Sequence, residues 1–159
     1  MNYDLFVDYV GTSSRGINFD GGTGVDSISL TGSGAGLIND YVFGLASDVV
    51  SITSTAGINV QSVAGAGIEI ATDSMTADSI NILGSTLDDV MQLSPGVIAG
   101  SQPISFQISG RPALQFSNKT DLSIDAGSGS DAITVNGVVN VAGDVTISAE
   151  SVNHGAGGQ

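Results

Sequence analysis

Short runs in which every second residue is apolar, cut apart by glycine and aspartate, constrain this chain more than any other feature. The alternation recurs at Ile17/Phe19, Ile28/Leu30, Val50/Ile52, Ile58/Val60, Ile68/Ile70, Ile80/Ile82 and Met91/Leu93. It continues at Ile104/Phe106/Ile108, Leu114/Phe116, Leu122/Ile124, Ile133/Val135, Val139/Val141 and Val145/Ile147. A period of two marks a half-buried β-strand, because successive side chains leave a strand on opposite faces. Gly, Ser, Asn and Asp close almost every run, as turn residues do. Helix formers such as Glu, Lys, Gln and Arg are scarce, while Val, Ile and Thr abound. The one helical candidate is STLDDVMQL (85–93), where Ser85 and Asp88 mimic a capping box. It also fits the strand pattern through Asp89, Met91 and Leu93, and is read as a strand. The chain is therefore expected to be all-β.

Some of these runs resemble one another. GGTGVDSIS (21–29) returns as AGSGSDAIT (126–134), each after a strand: Ile17-Asn18-Phe19-Asp20 and Leu122-Ser123-Ile124-Asp125. The unit is a strand, a D-x-G-x-G-x-D turn and a second strand. Glycine supplies positive φ in such a turn, and aspartate caps local N–H groups or binds a cation. A third relative, ADSINILGS (77–85), matches VDSISLTGS (25–33). Asp26 and Asp131 lie 105 positions apart, which divides into five steps of 21. Asp48 and Asp89 fall on or beside that grid, Asp78 does not, and position 110 is Gly. Coils of about 20 residues suit a β-solenoid, in which each repeat buries its inward residues against its neighbours. The expectation is one repetitive domain over 1–159 forming a parallel β-solenoid of short coils. The alternative is an antiparallel β-sandwich. Prolines at 95, 103 and 112 mark 94–120 as an irregular excursion or a lateral hairpin.

Sixteen acidic residues stand against Arg15, Arg111 and Lys119, giving a net charge of −13. That balance opposes binding to nucleic acid, which needs a positive face, and to anionic membranes. It suits hard cations, which take oxygen ligands, and it also suits plain solubility. There is no cysteine, which excludes disulfides and thiolate metal sites. No apolar run is long enough to span a membrane as a helix. MNYDLFVDYV carries Asp4 and Asp8 and has no basic start, unlike a signal peptide. The chain is accordingly read as part of a longer secreted protein or filament, located outside the cell or at its surface.

GGTGVDSIS fits the calcium-binding nonapeptide of the RTX proteins, G-G-x-G-x-D-x-U-x, at every fixed position, and AGSGSDAIT misses only the first glycine. LQFSNKTDLSIDAGSGSDAITVNG (114–137) and LGSTLDDVMQLSPG (83–96) resemble units of giant repetitive secreted bacterial proteins. VNGVVNVAGDVTISAESVN (135–153) is similar to the coils of filamentous-haemagglutinin-like adhesins. The resemblance implies a β-helix-like rod or neighbouring β-rich module displayed at the cell surface. It also implies Ca²⁺ at the turns, with Asp20 and Asp26, or Asp125 and Asp131, as ligands. In the RTX family the nonapeptides run in tandem and stacked turns share each ion; here they are isolated. Asx-type hydrogen bonds within the turns are the competing role for these aspartates.

Enzymatic side chains are few. His154 lies in a glycine-rich tail, a poor place for the firmly held imidazole of a triad. Zinc sites need His or Cys clusters that are absent. Asp88 and Asp89 are adjacent, so on a strand they would face opposite ways. Arg111 and Lys119 read as solvated loop charges. No enzyme is expected. The expected role is a structural or adhesive segment, a rigid spacer or assembly unit whose partners are flanking repeats or identical copies. A calcium- or surface-glycan-binding module is the alternative, and a polysaccharide-active β-helix the next.

Overall fold

A computed structural model describes residues 2–4, 15–32, 36–44, 49–57 and 59–157. Among them are fifteen strands and no helix. In chain order they are β1 (Asn2–Asp4), β2 (Arg15–Asp20), β3 (Ser27–Leu30), β4 (Leu37–Phe43) and β5 (Val50–Ala56). Next come β6 (Asn59–Ala66), β7 (Ile70–Asp73), β8 (Ala77–Leu83), β9 (Val90–Pro95) and β10 (Ile104–Ile108). The last are β11 (Ala113–Phe116), β12 (Lys119–Asp125), β13 (Ala132–Val135), β14 (Val145–Ser148) and β15 (Ser151–His154). The apolar alternation produces them directly: β4 buries Leu37, Tyr41 and Phe43 and turns Ile38 and Val42 outward. The helical candidate at 85–93 is a turn leading into β9. Val139/Val141 form no strand, although Val141 is buried. Asp48 lies outside the described residues.

The strands form two mixed sheets. The first runs β1-β3-β7-β11-β10-β9-β13-β15 and the second β14-β12-β8-β4-β5-β6-β2. The chain crosses between them repeatedly, as β6 to β7 to β8 to β9 and again from β11 to β15. Twice it stays in one sheet for an antiparallel meander, β4-β5-β6 in the second sheet and β9-β10-β11 in the first. Every other pairing is parallel. In each sheet, therefore, only one strand opposes the rest, β5 in one and β10 in the other.

The inner faces of the two sheets share one core, with Phe43 of the second meeting Phe106 of the first at 5.9 Å between ring centroids. Two packed sheets agree with the sandwich expectation; their mixed pairing departs from its antiparallel form. The 21-residue grid has a structural counterpart at twice its step. Strands stacked in parallel around a meander are paired about two grid steps apart, as Ser27 with Ile70 and Ile133 with Met91. Where no meander intervenes the step is near one grid unit, as Ile133 with Val152.

The three related sequence segments also find their places. β2-turn-β3, β7-turn-β8 and β12-turn-β13 are three of the crossings between the sheets. The first and third start in the second sheet; the middle one starts in the first.

Candidate functional site

Each of these three crossing turns opens on an aspartate that accepts a hydrogen bond from the backbone N–H two residues on. Gly22 donates to Asp20 Oδ1 at 3.0 Å, Met75 to Asp73 Oδ1 at 2.9 Å, and Gly127 to Asp125 Oδ1 at 3.1 Å. Asp20 and Asp125 are exposed, so in these turns the Asx bond is what their carboxylates do. The second aspartates, Asp26 and Asp131, are each 1% exposed. Their backbone N–H groups donate to acidic side chains of the next stacked turn, Asp26 to Glu69 Oε2 at 2.6 Å and Asp131 to Glu150 Oε2 at 3.0 Å. Asp89 continues the pattern, donating its N–H to Asp131 Oδ1 at 2.8 Å.

The structure therefore separates the four candidate calcium ligands. Within each turn one carboxylate points out and the other is buried. Between β3 and β13 lie β7, β11, β10 and β9, so the nonapeptide turns do not stack on each other. Each stacks on a different kind of turn. Gly21 and Gly67 approach closely, and a Cβ on Gly127 would stand 2.1 Å from Ser85 O. The paired-turn calcium cage of the RTX family does not fit this arrangement. Among the described residues no group of three or more His, Cys, Asp or Glu is placed to hold a metal.

The middle crossing differs by one residue. Five positions separate Asp73 from Asp78, against six in the other two copies. Asp73 stands on the inward phase of β7, in step with the buried Ala71, and is itself buried, whereas Asp78 is exposed. Asp73 enters the core and collects a network there. Lys119 Nζ donates to Asp73 Oδ1 at 2.9 Å, to Ser117 O at 3.0 Å and to Met75 O at 2.5 Å. Asp73 Oδ2 accepts from Asn39 Nδ2 at 2.8 Å and from the Tyr41 hydroxyl at 2.9 Å. The Lys119 and Asp73 side chains are 1% and 0% exposed. Burial pulls the Lys119 ammonium below the ordinary lysine value, against the opposing pull of the Asp73 charge and hydrogen bond. Burial, then the Asp73 charge, then its hydrogen bond, hold the Tyr41 hydroxyl well above the usual tyrosine value.

Lys119 is thus no solvated loop charge. It reaches the core because Asn118 before it takes a left-handed φ of 60°, a conformation asparagine tolerates. Asn118 is pinned there by donating Nδ2–H to Ser74 O at 2.9 Å and accepting from Ser101 N at 2.7 Å. Arg111 donates from Nη1 to Gly44 O. His154, exposed at the end of β15, lines an open apolar cleft with Leu93, Val135, Val139, Val145, Ile147 and Val152.

Comparison with protein-family models, with curated proteins and with solved structures finds no match.

Proposed function

We propose that this chain is a structural stacking unit of an extracellular, surface-displayed protein or filament, a β-solenoid-like spacer extended by further coils at its ends. The observation that carries this reading is the state of the last ladder. β15 and β14 end the two sheets side by side, and every residue in them but Ile147 is exposed. Val145 and Val152 are 42% and 43% exposed there, over the apolar cleft between the sheets. Unpaired strand edges beside open apolar surface are a template for another strand. At the other end β1 and β2 close the same two sheets, and all four end strands pair in parallel with their inner neighbours. Since only β5 and β10 run backwards, a following coil can join with unchanged polarity. Head-to-tail addition of that kind does not close on itself and builds a rod.

Two copies joined head to tail in one polypeptide test this. They should melt as one transition at a higher temperature than a single copy, and Val145→Lys with Val152→Lys at the junction should abolish the gain. Two independent melts, unchanged from the single copy, would refute the stacking role.

A second reading, a calcium-binding module, is favoured by one atom. Asp131 Oδ2 is buried without a hydrogen-bond partner, and a single cation there would satisfy it. Millimolar Ca²⁺ should then raise the melting temperature over that in EDTA, since a ligand binding only the native state adds stability. Asp131→Asn should remove the shift. An identical melt in both solutions would leave only the structural reading.

A further inference from the structure

The Lys119–Asp73 pair is more than the stacking role requires. Burying both charges costs solvation that a hydrophobic pair would not, and the surrounding groups are arranged around the aspartate carboxyl with a definite polarity. One carboxyl oxygen, Oδ2, receives two neutral donors, the Tyr41 hydroxyl and Asn39 Nδ2. The other, Oδ1, receives the lysine nitrogen and the Met75 N–H. Lys119 Nζ is thereby held 2.9 Å from Oδ1, an oxygen bonded directly to Asp73 Cγ. Burial disfavours the ammonium form of Lys119 and so favours the amine, the nucleophilic form. Two donors fixed on one oxygen are the arrangement that stabilises charge developing on a carbonyl oxygen during acyl transfer. Positioning of the two reactants supplies the rest.

We propose that Lys119 and Asp73 join in an intramolecular isopeptide bond, a covalent cross-link between the β7–β8 crossing and the start of β12. The ammonium first gives a proton to Oδ1. The neutral Nζ then attacks Cγ, and the displaced electron pair moves onto Oδ2, where Tyr41 and Asn39 hold it. Collapse expels Oδ1 as water, which takes a second proton from Nζ. One C–N bond forms and one C–O bond breaks, nothing is oxidised or reduced, and the amide keeps one N–H for Met75 O or Ser117 O. Asn39 Oδ1, buried and without a hydrogen-bond partner, is an acceptor available to the departing water.

Lys119 is the only lysine in the chain, which makes the test direct. Intact mass of the purified protein in denaturant should be lower than the sequence mass by one water. Trypsin should fail to cut after Lys119, because an acylated lysine is not recognised, and fragmentation should join Lys119 to Asp73. The Lys119→Arg variant should show its full sequence mass. Three results would overturn the proposal. One is full mass in the unaltered protein. Another is loss of water with normal cleavage after Lys119, the signature of a cyclised aspartate. The third is loss of ammonia with Lys119 joined to Asn39. The measurement is made on unfolded wild-type chain, so its outcome does not depend on whether any variant folds or on the stacking proposal.

Discussion

Asp73 shows how much one residue position decides. Its neighbours in the repeat, Asp20 and Asp125, make the same bond to the N–H two residues on and remain in solvent. Asp73 falls on the inward phase of β7, in step with the buried Ala71, and there Lys119 meets it. Replacing Asp73 by Ala should leave the Lys119 nitrogen buried and the Tyr41 and Asn39 donors without their acceptor. The expected loss is about 3–5 kcal/mol, read from urea unfolding. Asp125→Ala, which removes one exposed turn bond, should cost about 1 kcal/mol. Tyr41 gives a pH signature. Its folded-state value is raised, so the native state keeps a proton that the unfolded state gives up above about pH 10. The stability that Tyr41 contributes is complete below that point and falls as pH rises beyond it. Tyr41→Phe should therefore be less stable than wild type at neutral pH by about 1.5–3 kcal/mol. The gap should narrow in melts taken from pH 9 to 12. None of this network was legible in the sequence. Lys119 stands three residues before the inward Leu122, and both face the core only because the alternation breaks at the exposed pair Thr120 and Asp121.

At the scale of elements the sequence was far more readable, because a buried face leaves its period in the residues themselves. Ile80/Ile82, Met91/Leu93, Phe106/Ile108 and Leu122/Ile124 all point into the core as the alternation implies. What the alternation could not supply was direction. A strand of a given pattern is the same string whether it runs with its neighbour or against it, so β5 and β10 carry no mark of their reversal. The turns tell more. Gly22 and Gly127 occupy the same place in the two nonapeptides and both have positive φ, 76° and 96°. A side chain on Gly22 would meet nothing within 4 Å, whereas on Gly127 it would stand 2.1 Å from Ser85 O. Gly22→Ala should cost the backbone strain alone, about 1–2 kcal/mol. Gly127→Ala adds a backbone collision and should lose about 1–3 kcal/mol more, so thermal melts of the pair should separate clearly. Equal losses would mean that the two turns are packed alike.

For the whole molecule, a net charge of −13 on 159 residues opposes compactness. Raising salt from about 10 mM to about 150 mM shortens the Debye length from roughly 30 Å to 8 Å. The melting temperature should rise accordingly, with NaCl as effective as any other simple salt; an unmoved melt would mean the carboxylates are already neutralised locally. If the molecule is the stacking unit proposed above, the order of its ladders also sets how it answers a pull on its two ends. Outer ladders separate first and the chain between them pays out. The Asp73–Lys119 tie changes that sequence of events, because the backbone between its two ends, separated by 46 positions, becomes a closed loop. Tension then passes through the side-chain link and never reaches β8, β9, β10 or β11. With the amide in place, a single molecule stretched to its limit should fall short of its full contour by roughly 150 Å, and the Lys119→Arg chain should recover that length. Nearly a third of the polypeptide would stay folded back on itself while the remainder is drawn out, a built-in limit on how far the protein can extend.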